Sequence, residues 1–381
     1  MRILLASDSF DPAVGGVQRV VRDLGDGLVA AGHEVRVLAP WGEGLAESET
    51  LDGLLVERVR LGRPALRPRA IAGFARRVGA GRQQVDVLLA DFRPDVVHFH
   101  FLQSPLAYLL PGACASHGVP LIATAHGRDV VGEMVEDDAL GRRVVRAVLD
   151  AAAAVTAPSE ATLASARELA PTPLRADFEA VPNALPADME RELAREPATD
   201  SRRSGVVAVG ELHPKKGFDV LIRAVAGIPG LHLKIAGRGA QRGELTELVA
   251  ELGVSDRVAL LGFVARDALV DLLRSAAVQA VPSRREPFGL VILEGMACGT
   301  PVVASRTDGI PEVVADAAVL VPPDDVAALE AALREILEDD DRRRALAAAG
   351  RERARLHTVV RTTELYLDVY RRAITTKGRS E

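Results

Sequence analysis

The sequence predicts two doubly wound α/β domains in tandem, each a parallel sheet covered by helices on both faces. Three observations predict it. The chain has 381 residues, enough for two domains of ordinary size. Short apolar runs alternate with amphipathic stretches almost from end to end, and the runs are continuous, as in strands buried on both faces. One charged stretch, residues 190–204, interrupts the rhythm with Arg191, Glu192, Arg195, Glu196, Pro197, Asp200, Arg202 and Arg203, and reads as a linker.

In the first half the strand candidates are 3–7, 34–40, 54–61, 96–100, 120–126 and 155–159. The first helix places Val17, Val20, Val21, Leu24 and Leu28 on one face. In the second half the candidates are 206–210, 231–237, 258–262, 278–283, 301–305 and 319–322, and 342–374 reads as wholly helical. The expected domains are 1–189 and 205–359, with the final helix, 360–381, completing the first. Open parallel sheets bind ligands beyond the carboxyl ends of their strands, so a cleft between the two domains is the expected site.

Composition excludes some functions. A net charge of −6 and an aromatic fraction of 3% argue against a nucleic-acid binder. Cys114 and Cys298 are far apart with no metal-ligand neighbours, and read as buried apolar residues in a reducing compartment. No apolar run reaches the ~18 residues a span requires. The expectation is a cytoplasmic protein, with membrane contact at most peripheral.

Three motifs carry chemistry. Gly15-Gly16 separates the first strand from the first helix, where backbone amides can approach an anion. The plain alternative is a turn requiring positive φ. Lys215-Lys216-Gly217 follows the first strand of the second domain and opens a helix, where a lysine can reach a diphosphate as a point charge. Its alternative is a solvated pair. The segment 286–294 sets Glu286 before a helix and Glu294 one turn into it, with the amides of Phe288, Gly289 and Leu290 at the helix start. Carboxylates accept from sugar hydroxyls and open amides donate to them; the alternative is an ordinary dipole-compensating Glu294.

Gly15-Gly16-Val17, His126-Gly127, Val181-Pro182-Asn183, Val209-Gly210 with Lys216-Gly217, Ala236-Gly237 and the block from Glu286 to Pro301, continuing to Gly309-Ile310-Pro311-Glu312-Val313, occur in this order. On these residues the chain resembles family 4 of the retaining glycosyltransferases, with the GT-B fold of two Rossmann-like domains. The resemblance implies a nucleotide-sugar donor, carrying UDP or GDP, and transfer of a hexosyl-type group to a glycan, lipid or small-molecule hydroxyl. It implies catalytic roles for His126, Lys216 and Glu286. Donor contacts fall to Gly15, Gly16, Lys216, Glu286, the amides of Phe288, Gly289 and Leu290, and Glu294 at the ribose. Phe263 and Val264 match the segment facing the base. No obligatory cofactor or divalent metal is expected.

One position departs from the family pattern. Glu211 stands where an arginine usually grips the diphosphate, and Lys215, Arg238 or Arg128 are the candidate replacements. Asp8, Asp11, Arg128 and Asp129 are acceptor-side candidates, with loops 41–52, 62–69 and 128–138 selecting the acceptor. His98 and His100 read as buried strand histidines rather than metal ligands, and Arg284-Arg285 as a solvated rim. The rival functions are a non-hydrolysing nucleotide-sugar epimerase and a catalytically silent nucleotide-sugar-binding protein.

Overall fold

The computed structural model describes residues 1–11, 15–61, 68–131, 139–173, 176–196 and 203–377, with the backbone alone at 68–72 and 75. The chain divides into two compact units, Met1–Asn183 with Val359–Glu381 and Ala184–Thr358. Most of loops 62–69 and 128–138 lies outside the described residues. Among the described residues, no helix is long and apolar enough to cross a membrane.

The first unit is built on strands β1 (Arg2–Ser7), β2 (Glu34–Pro40), β3 (Ser48–Leu51), β4 (Leu54–Val59), β5 (Val96–His100), β6 (Leu121–Thr124), β7 (Ala154–Ala157) and β8 (Asp177–Ala180). Their spatial order is β3-β4-β2-β1-β5-β6-β7-β8, parallel except for the β3–β4 pair. Alternate side chains feed two cores. Leu4, Ala6, Val97 and Phe99 face the helices Pro68–Phe92, Leu110–Ser116 and Ala139–Ala151. Ile3, Leu5 and Val96 face the helix Gly16–Ala30 and the last helix, Val359–Lys377, through Leu24, Leu28, Tyr366 and Tyr370. The chain's final helix thus belongs to the first unit. Two strands were not expected. β3 occupies part of loop 41–52, and β8 reads DFEA; both are polar, short and at the sheet edges.

The second unit has β9 (Val206–Val209), β10 (Leu233–Ala236), β11 (Val258–Gly262), β12 (Val278–Val281), β13 (Val302–Ser305) and β14 (Val319–Val321), in the order β11-β10-β9-β12-β13-β14 and all parallel. Its two cores follow the same alternation: Val206 and Ala208 on one face, Val207 with Val281 and Ala304 on the other.

The expected linker, 190–204, requires correction. The helix Ala187–Ala194 runs into it and belongs to the second unit. Arg191, Arg195 and Glu196 are exposed as expected, but Glu192 is fully enclosed and accepts from Arg195 and Arg274. Residues 197–202 of that stretch lie outside the described residues.

Candidate active site

In the second sheet, β9 has β10 on one side and β12 on the other, so the chain leaves β9 and β12 in opposite directions. That is the switch point, where loops part and open a crevice at the strands' carboxyl ends. Lys216 lies in the loop after β9 and Glu286 in the loop after β12. Lys216 Nζ donates to Glu286 Oε2 at 2.5 Å, and both side chains are largely shielded from solvent. Ser283 Oγ donates to the same carboxylate oxygen at 3.3 Å.

Other contacts hold the two loops in register. Gly217 adopts φ 64°, and a Cβ there would stand 2.1 Å from the Pro282 carbonyl oxygen. The lysine turn therefore lies directly on the backbone of the loop after β12. Arg284 clamps it from the other side: its amide donates to the Lys215 carbonyl at 2.8 Å, and its guanidinium reaches Asp219, Asp324 and the Pro214 carbonyl. Arg284 is thus a structural clamp rather than the solvated rim expected of it. Asp308 fixes the second loop by accepting from the Glu286 amide at 2.7 Å. We expect Gly217→Ala to destabilise the second unit by at least about 2 kcal/mol, since neither the left-handed φ nor the backbone contact is relieved by a rotamer change. Chemical denaturation checks this; an unchanged midpoint would contradict the contact.

The helix Leu290–Ala297 has Gly289 as its N-cap, so no side chain caps its first amides. Glu294 lies one turn in, and its Oε1 accepts from Arg266 Nη1 at 2.6 Å. Arg266 also forks onto Asp188, at 2.8 and 2.9 Å. Burial opposes its charge, but Asp188 and Glu294 outweigh that and raise its pKa above the ordinary arginine value. Arg266, Asp188 and Asp308 were not anticipated. One signal for Arg266 was present: it opens the helix Arg266–Ser275, where the helix dipole disfavours a cation.

Arg238 follows β10, held where Leu212 N donates to its carbonyl at 2.8 Å, with its guanidinium 5.2 Å from the ring centre of the exposed Phe263. Val264 packs into the core beside it. Glu211 is exposed and lies 3.9 Å from Lys215 Nζ, so a neighbouring cation faces the carboxylate that replaces the expected arginine.

In the first sheet, β1 lies between β2 and β5, which makes a second switch point. Asp8 and the Gly15-Gly16 turn follow β1, His100 ends β5, and His126 with Arg128 follows β6. Gly15 is extended at φ 176°, so the turn needs no positive φ there, and its N-cap position carries no side-chain cap. Of the acceptor-side candidates, Asp11 stays partly exposed beside a cation, and Asp129 requires correction. The Asp11 carboxylate accepts from Arg22 at 2.7 Å. Asp129 is wholly enclosed, with one oxygen accepting from Leu102 N and the other from His126 N, both at 2.8 Å. It staples the loops after β5 and β6, and burial pushes its pKa up to about 6 against those amides. A cavity of about 360 Å³ lined by Cys114, Leu121, Ala153 and Arg372 lies at the opposite, amino-terminal ends of β6 and β7, away from all these residues.

Residues 14–188 match the family described as Glycosyltransferase Family 4, and residues 189–353 match Glycosyl transferases group 1. An uncharacterised glycosyltransferase of Methanocaldococcus jannaschii is 31% identical over 333 residues, 82% of this chain and 83% of that protein. The D-inositol 3-phosphate glycosyltransferase of Saccharomonospora viridis is 33% identical over 312 residues, 74% of this chain and 70% of that protein. Among solved structures, the sucrose-phosphate synthase of Thermosynechococcus elongatus matches with a TM-score of 0.80 at 26% identity, over 98% of this chain and 99% of that one. An Anabaena protein solved with UDP-glucose shares the fold, with a TM-score of 0.74 at 20% identity over 97% and 99% of the two chains. With two parallel α/β sheets, each carrying its polar residues at a switch point, the chain belongs to the family 4-like glycosyltransferases of the GT-B fold.

Proposed function

We propose that this glycosyltransferase takes its sugar from a UDP- or GDP-sugar and transfers it to an acceptor hydroxyl with retention of configuration. The observation that carries the reading is the Lys216–Glu286 pair at the switch point of the second sheet, beside a helix start whose amides no side chain caps. Lys216 provides a shielded cation for the donor diphosphate, and Glu286 with the amides of Phe288, Gly289 and Leu290 binds sugar hydroxyls. Glu294, oriented by Arg266, accepts from the ribose diol. Gly15, Gly16 and His126 keep the roles that the family resemblance implies, and Arg238 with Phe263 and Val264 serves the base and diphosphate side. In the same-face step the bond from the anomeric carbon to phosphate breaks, the bond to the acceptor oxygen forms, and the acceptor proton passes to the leaving phosphate. The protein's contribution is charge stabilisation and positioning, which need neither a metal nor a cofactor.

The Anabaena neighbour solved with UDP-glucose supports the donor class. The inositol-phosphate glycosyltransferases among the relatives put phosphorylated polyols first in an acceptor panel, ahead of glycans and lipid-linked acceptors. The test is incubation with UDP- and GDP-sugars and that panel, reading nucleoside diphosphate release and the product's anomeric proton coupling. Acceptor-dependent release with a retained anomer is expected. An inverted product refutes retention; an epimerised donor without release, or binding without turnover, refutes transfer.

A further inference from the structure

The buried polar seam of the first unit is not explained by packing. His98, His100, Thr124, Thr156 and Ser7 are enclosed side chains near the carboxyl ends of β1, β5, β6 and β7. His98 is fully partnered, through Nδ1 to Tyr370 Oη and Nε2 to Thr124 Oγ1, each at 2.6 Å. His100 is not. Its Nδ1 lies 3.0 Å from His126 Nε2, and its Nε2 is buried without a hydrogen-bond partner. Ser7, paired with His100 across β1 and β5, has a buried Oγ that also lacks a partner.

Both rings are neutral at ordinary pH, because burial holds His100 well below the usual histidine range and lowers His126 to about 4. Between two neutral imidazoles one nitrogen donates and the other accepts, leaving two arrangements. If His126 Nε2–H donated, the His100 proton would have to sit on Nε2, as a buried N–H with no acceptor. If His100 Nδ1–H donates, Nε2 carries only a lone pair. An orphaned N–H is the rarer and costlier defect. The geometry therefore favours the second arrangement.

We propose that His100 is a positioning residue that fixes His126 with its proton on Nδ1, presenting an N–H donor from the edge of the ring that has no partner among the described residues. The substrate class this donor serves is the oxygen of a sugar hydroxyl. The inference rests on the reading of His126 as a residue that acts on the donor sugar. The Asp129 carboxylate supports it independently by fixing the His126 backbone, so the ring's remaining freedom is the one His100 removes.

Long-range nitrogen–proton NMR of histidine-labelled full-length protein reads the tautomer directly. We expect His126 as the Nδ1–H form in the wild type, retained in His100→Asn, whose amide offers a donor near the same place, and largely replaced by the Nε2–H form in His100→Leu. We expect kcat for sugar transfer to fall about tenfold in His100→Leu, with a smaller change in donor KM, and to recover in His100→Asn. An Nε2–H tautomer in the wild type overturns the proposal even where His100→Leu fails to fold. So does an unchanged tautomer in His100→Leu while His126→Ala is defective in transfer. Full transfer by His126→Ala instead overturns the reading of His126 itself, whatever its tautomer.

Discussion

Replacing Lys216 by alanine is expected to lower kcat/KM for sugar transfer by two to three orders of magnitude, or about 3–4 kcal/mol of transition-state stabilisation, the range seen when one preorganised donor to a developing charge is removed. Two effects act in the same direction. The departing diphosphate loses a cation held at 2.5 Å from Glu286 in a shielded crevice. Glu286 is also left as an unopposed carboxylate, which repels the diphosphate and has lost the contact that oriented it. Lys216→Arg is expected to recover only part of the loss, because a planar fork does not replace a point charge in a loop pinned by Gly217 and Arg284. Steady-state kinetics with a fixed acceptor checks this, with denaturation curves confirming that the second unit is folded. A Lys216→Ala enzyme within threefold of wild type would remove Lys216 from the reaction. Arg238→Ala run in parallel reports whether that guanidinium stands in for the arginine that Glu211 replaces; unchanged transfer assigns it no part in the diphosphate grip.

The second large effect is on stability. Burial lowers the pKa of His98 to about 3 and of His126 to about 4, and holds His100 well below the ordinary value. A depressed histidine stabilises the fold above its unfolded pKa, near 6.5, and that stability is lost as pH falls toward the folded value. Asp129 acts in the opposite sense. With its folded pKa raised to about 6, it favours the folded state progressively as pH falls from 6 toward 3.8. Each group changes stability by about 1.4 kcal/mol per pH unit in its window, so His98 and His126 against Asp129 leave a net loss of about 1.4 kcal/mol per unit between pH 6 and 4, and His100 acts in the same direction as the other histidines. The sole tryptophan, Trp41, and all three tyrosines, Tyr108, Tyr366 and Tyr370, lie in the first unit. Intrinsic fluorescence therefore reports on that unit alone, and its denaturation midpoint should fall as pH drops from 6.5 to 4. A flat profile would mean that the seam charges without cost.

The sheet strands were legible because continuous apolar runs such as Ile3-Leu4-Leu5-Ala6 have no other economical place than a sheet covered on both faces. The edge strands Ser48–Leu51 and Asp177–Ala180 were not, since an edge position makes no such demand. The helix Ala187–Ala194 was hidden by its charges: Glu192 looks solvated in sequence and is enclosed in the fold, where Arg195 and Arg274 compensate it. Lys216, Glu286 and Glu294 were found from their places at loop and helix starts. The pairings of Glu294 with Arg266 and of His126 with His100 were not legible, because the partners lie 28 and 26 residues apart. Such pairings are set by which strands are neighbours, and a one-dimensional pattern does not encode that adjacency.

The last helix, Val359–Lys377, covers the sheet that the opening residues build. On the ribosome, therefore, β1 to β8 emerge long before their lid, and His98 waits for Tyr370 through the synthesis of the entire second unit. The nascent first half must hold an apolar sheet face open for that interval, a natural client for holding chaperones. A fragment ending at Asn183 would remain in that exposed state, whereas Ala184–Thr358 is continuous in sequence and can close as soon as it clears the exit tunnel.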